Sequence, residues 1–208
     1  MLAKRTAAVF VATLVAVVAA SAHADDQAPN TFKAHGVSFS YPGAWIEIPA
    51  TYQIQIGTPL WMETVGPAPQ PAAPAPGAPA QPSPTPQPSP PRPDLVTLAA
   101  FHLSVSLTKK DIARYKNSIA LSISRLAAQA HGQLLSGPIR VSMGRLPGYR
   151  FELTVQLSDG TMLQNRVVVV FRKKTEYFLN CQHPQNDPLT AEIDGGCDQI
   201  MQSFRRGL

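Results

Sequence analysis

Cys181 and His183 stand two residues apart in FLNCQHP, residues 178–184, and Cys197 is the only other cysteine of the 208-residue chain. A thiolate and an imidazole can hold zinc, or act as a nucleophile and its base. A metal site here would draw on Cys181, His183, Cys197 and Asp198. Cys-x-His side chains share a face only while a strand stays regular, however, and Pro184 interrupts it. No second Cys/His pair follows, so zinc is poorly served. An activated thiol would need an adjacent base and a cleft. The third reading is a disulfide, which supplies a staple rather than a reaction.

The other reactive residues are scattered. His35, His102 and His131 fall in no motif, and the chain has no Gly-x-Ser-x-Gly, His-Glu-x-x-His or phosphate loop. Ser158-Asp159-Gly160 reads as a hairpin turn rather than a nucleophile. Asp187, Glu192, Asp194 and Asp198 form an acidic stretch that could take a cation, but a solvated helix start explains it better. The expectation is no catalytic residue, no metal and no cofactor, hence no enzyme. The alternative enzyme reading would use the Cys181/His183 corner.

The compartment bears on the thiols. Lys4 and Arg5 precede an apolar run, Ala7 to Ala20, and SAHADD follows. This is the pattern of a secretory signal over residues 1–24, cleaved near Ala24. No later stretch approaches the roughly 20 apolar residues of a membrane span, so the mature chain is expected to be exported without one. Cleavage leaves 16 Lys+Arg against 13 Asp+Glu, lowering the formal charge from +5 to +3. So weak and dispersed a charge gives no support to nucleic-acid binding. The one tight cluster, Arg172, Lys173 and Lys174, reads as a solvated turn between two strands. In an oxidising compartment a lone pair of cysteines favours the Cys181–Cys197 bridge. Two unpaired thiols and metal or redox chemistry are the alternatives.

Composition divides the mature chain. Residues 66–93 contain 13 prolines in 28 positions, without the amides for a ladder or the bulk for a core. The tract is expected to be a disordered insertion of polyproline II character, reaching about 85 Å if fully extended at ~3.1 Å per residue. It interrupts a single domain built from residues 25–65 and 94–208.

The positioning elements follow from periodicity. HGVSFSYP, AWIEIP, YQIQIG and Leu95 to Leu107 read as strands. Thr108 opens a helix with Asp111 at the third position, and Ile112, Tyr115, Ile119, Ile123, Leu126 and Ala130 form one apolar stripe ending at Gly132. QLLSGPIRVSM, YRFELTVQL, TMLQNRVVVVF and EYFLNCQ follow as strands, separated by turns at GRLPG, SDG and RKKT. A last helix carries Ile193, Cys197, Ile200, Met201 and Phe204 on one face, with regular turns expected only from about Gly196. The fold class is α+β: an antiparallel meander sandwiched by two main helices.

GVSFSYPGAW, and GYRFELTVQLSDGTMLQNRVVVVFRKKTEYFLNCQHP with the closing CDQIMQSFR, resemble the opening and closing segments of PsbP-like domains. That superfamily includes the photosystem PsbP proteins, the Mog proteins, and the DcrB and LpqN groups. The likeness spans residues 32 to 206 outside the proline tract; the chain lacks a lipobox cysteine and adds the insertion. The resemblance implies the α+β fold and a protein-binding or assembly role, here in the cell envelope or outside the cell. A narrower version is a periplasmic immunity-type inhibitor of a toxin. The expected partner surface is Trp61, Met62 and Val65, apolar bulk beside the tract.

Overall fold

Asn30–Ala34 (β1) and Val37–Tyr41 (β2) form a tight hairpin turned by His35 and Gly36. Both turn residues have positive φ, 54° and 70°, the pairing that matches the twist of a two-residue hairpin. The computed structural model that shows this describes residues 27–49, 58–69 and 93–207. The expected signal segment, the YQIQIG strand and most of the proline tract lie outside the described residues.

The remaining strands build a six-stranded antiparallel sheet. Trp45–Glu47 (β3) pairs with Trp61–Pro67 (β4), which pairs with Leu95–Leu107 (β5). Gln133–Met143 (β6), Leu146–Gln156 (β7) and Met162–Pro184 (β8) complete it in the order β3-β4-β5-β8-β7-β6. The first tract residues, Gly66 and Pro67, are thus strand rather than insertion, paired with Ile46 and Trp45. The tract is the connection of the β4–β5 hairpin. β6 forms one edge, where its register shifts around Ser136 and Pro138 has no amide to offer, features that discourage pairing with another chain.

Each face of this sheet has its own cover. On one lie Lys109–Arg114 (α1) and Lys116–Gln129 (α2), over a cluster that includes Ile112, Ile123, Phe151, Val167, Val169 and Phe178. On the other lie Thr190–Ser203 (α3) and the small sheet β1-β2-β9, β9 being Arg205–Arg206. There Trp45, Leu98, Val168, Val170, Leu179, Ile193 and Ile200 pack together.

Four sequence expectations change. The helix after Thr108 is two helices: its capping box is complete, but the backbone leaves the helical region at Tyr115 (ψ 9°). That turn lets α1 lie over β5 and β7 while α2 lies over β6 and β7. RKKT is not a turn but the middle of the 23-residue β8, whose first half pairs with β7 and second half with β5. Lys173 sits there at φ 52°, and the side-chain alternation changes phase: Val169 and Phe171 face α1 and α2 before it, Phe178 after it. The turn in GRLPG is only Gly144-Arg145; Pro147 pairs with Ser142 in β7, beyond the reach of β8, where no amide is needed. Finally, α3 runs straight through Gly195 and Gly196. A Cβ at Gly196 would strike the Trp45 ring, so glycine is what lets the helix approach the sheet.

Candidate functional site

The Cys181/His183 corner is structural. Cys181 of β8 and Cys197 of α3 form a disulfide with Cα atoms 6.0 Å apart. His183 is 4% exposed, and its Nδ1 lies 2.8 Å from the Pro184 carbonyl and 3.2 Å from Thr190 Oγ1. An Nδ1–H tautomer satisfies those acceptors and leaves no activated thiol to serve. The acidic stretch is occupied as well. Asp187 Oδ1 accepts from Leu189 N at 2.7 Å, and Glu192 Oε1 accepts from Trp45 Nε1 at 2.8 Å. Arg166 pairs with both Asp194 and Asp198 at 3.0 Å. Among the described residues no three His, Cys, Asp or Glu side chains converge as a metal site.

The structure does not bring Trp61, Met62 and Val65 together. Alternation along β4 puts Trp61 and Val65 on the α3 face and Met62 on the opposite one. Val65 is 2% exposed and belongs to the core. Trp61 opens β4, six residues and about 20 Å from Pro67, where the tract departs. Its indole stacks on His35, centroids 5.3 Å apart with planes 8° from parallel, and leans on Tyr177 at 6.3 Å. Glu63, which faces His35 at 3.9 Å, is pushed above its ordinary range chiefly by burial.

A different place is left open. Between His102 and Leu107 the register of β5 breaks: His102 pairs with Thr175 and Leu107 with Lys173, so four residues of β5 stand opposite one of β8. The extra length bows β5 outward beneath the α1–α2 junction, as bulges do. The result is a groove of about 270 Å³ walled by Leu103, Val105 and Leu107 of β5, Val169 and Phe171 of β8, and Ile119 and Ile123 of α2. Val105 is 58% exposed and Tyr115, at its mouth, 42%. Glu176 of β8 also lines it and has no hydrogen bond or ion pair among the described residues. Burial alone pushes its carboxyl above the ordinary range.

Further along α2 lies a smaller cavity of about 60 Å³ under Leu126, Ala127 and Ala130. Asn165 and Asn180 line it, 2% and 5% exposed, and among the described residues neither Asn165 Nδ2 nor Asn180 Oδ1 finds a partner. Sequence reading missed both features. The alternation Leu103-Val105-Leu107 was visible, but nothing in it marks a bulge.

No protein-family model matches the chain, and no curated protein sequence matches it. Among solved structures it is similar to PsbP (CyanoP) of the cyanobacterium Synechocystis sp. PCC 6803, with TM-score 0.55 at 11% identity over 86% of this chain and 92% of that one. A mutant of the protein Mog1 aligns with TM-score 0.46 at 6% identity over 86% and 96% of the two chains. LpqN of Mycobacterium tuberculosis, described as involved in cell envelope biogenesis, aligns with TM-score 0.42 at 11% identity over 89% and 88%. The chain spans under half, 46%, of a Bacteroides thetaiotaomicron protein that also aligns, with TM-score 0.45 at 11% identity. The chain has the PsbP-like α+β fold.

Proposed function

We propose that this chain with a PsbP-like fold is a non-enzymatic, exported protein-binding or assembly-support module of the cell envelope. Its contact site is the groove beneath the α1–α2 junction. The carrying observation is that groove: an apolar cleft held open by a strand bulge, with Val105 and Tyr115 exposed at its rim. Exposed apolar and aromatic side chains around a concavity are the usual anchors of a partner. The Cys181–Cys197 bridge supports the exported setting, since such bridges persist in oxidising compartments. Residues 1–24 as the export signal, and the proline tract beyond Pro67 as an unstructured insertion in one domain, belong to the same reading.

The competing placement of the contact is the Trp61–Met62 end, favoured by Leu60, which is 61% exposed beside it. Site-specific photocrosslinking separates the two. A crosslinker at position 105 is expected to trap an envelope protein, whereas one at position 60 or 183 traps none. Adducts from position 60 alone would move the site to the Trp61 end. Adducts from position 183 alone would restore the Cys181 corner and overturn the reading.

A further inference from the structure

The feature that asks for an explanation is Glu176. A carboxylate half-buried among aliphatic walls, with no hydrogen bond or ion pair among the described residues, costs the isolated fold stability. Glutamine or threonine would fill the position without that cost. A charge kept in such a groove at neutral pH is compensated when a cation arrives.

Resting on the reading of the groove as the contact site, we infer that its occupant is an apolar peptide segment carrying one lysine or arginine, seated so that its cationic head meets Glu176. The walls fit the rest of such a side chain. Leu103, Leu107, Ile119 and Phe171 offer apolar surface to a long aliphatic stem, and the carboxylate offers its oxygens to the head. The surroundings leave Glu176 free for this. β5 contributes no titratable lining group; His102 follows Phe101, the residue paired with Glu176, and lies on the other side of that strand. The helices contribute Tyr115, with the Arg114 guanidinium 6.0 Å over its ring. On β8, Lys174 is exposed two residues before Glu176, and no ion pair joins them among the described residues.

The test uses the full, disulfide-bonded mature chain and two blocked apolar peptides identical except for a central lysine or norleucine. Affinity is read by fluorescence anisotropy. The lysine peptide is expected to bind about tenfold tighter near neutral pH, the gain typical of a partly buried charge pair. Its affinity should rise with pH, because only the ionised carboxyl attracts the cation, and level off above the raised titration of Glu176. Glu176→Gln should make the two peptides equal and flatten the pH profile. Equal binding to the wild type, lost for both peptides in Val105→Asp, would keep the groove and overturn the cation assignment. No binding by either peptide overturns the assignment too. Lysine-selective binding that survives Val105→Lys, which crowds the groove and repels a cation, would place the contact elsewhere and sink the groove reading itself.

Discussion

The two faces of the six-stranded sheet are built to different standards. On the α3 face, Trp45 is 1% exposed, donates to Glu192 and abuts Gly196 with its six-membered ring. Ser203 Oγ accepts from Ser40 N at 2.8 Å, tying α3 to β2, and the disulfide ties α3 to β8. On the α1–α2 face, β5 bows away, a groove stays open, and among the described residues the Glu176 carboxylate, Asn165 Nδ2 and Asn180 Oδ1 have no partner. Both faces come from the same strands, often from adjacent residues of β8. The difference teaches that stability is concentrated where the chain is closed, so that local faults can be carried where it is open. Faults of that kind gather where a chain meets a ligand.

The largest break in this comparison is Trp45→Ala, expected to cost about 4 kcal/mol in urea unfolding, as deletion of a buried aromatic does. A cost below about 1 kcal/mol would show that the α3 face is not the stability face. Replacing Cys181 and Cys197 by alanine together should cost about 3 kcal/mol in the same experiment, and alkylation of the native protein should find no free thiol. Effects on the open face should be smaller and of opposite sign. Asn165→Leu removes an unmatched buried donor and offers apolar bulk to the 60 Å³ cavity, so it should stabilise by about 1 kcal/mol. Destabilisation would mean that a bound water or ligand group satisfies the amide. Glu176→Gln should sharpen the contrast by its pH dependence. Because burial raises Glu176 from its ordinary 4.5, the folded state is penalised as pH rises through the raised titration. The variant should therefore match the wild type in acid, and exceed it at neutral pH by a margin that thermal melts at both pH values can read.

Most of the closed face could be read from the sequence. The Val37-Phe39-Tyr41 alternation, the Trp45 anchor and the 193-197-200-204 stripe are local patterns, and they fold as such. Two cysteines placed on a strand and a helix form the expected bridge. The open face was not legible, because its determinants are mismatches between distant segments. The groove depends on four residues of β5 facing one of β8, and neither Leu103–Ser106 nor Lys174 announces that. The RKKT stretch looks like a turn because its charges are exposed, yet pairing with β7 before it and with β5 from Lys173 onward keeps it within the strand. Gly196 looks like a helix breaker until Trp45, far away in sequence, lies against it.

One consequence follows from the place of the proline tract between β4 and β5. Val65 pairs with Val96, so the chain leaves and re-enters the domain at neighbouring points of one hairpin. Whatever conformation residues 70–92 take, they form a closed excursion rather than a tether with a free far end. The outermost point of such an excursion lies no further away than half its contour, about 40 Å. A span of 85 Å between two anchored bodies is therefore outside its range. A partner bound beside the β4–β5 hairpin would meet both the departing and the returning chain instead of one.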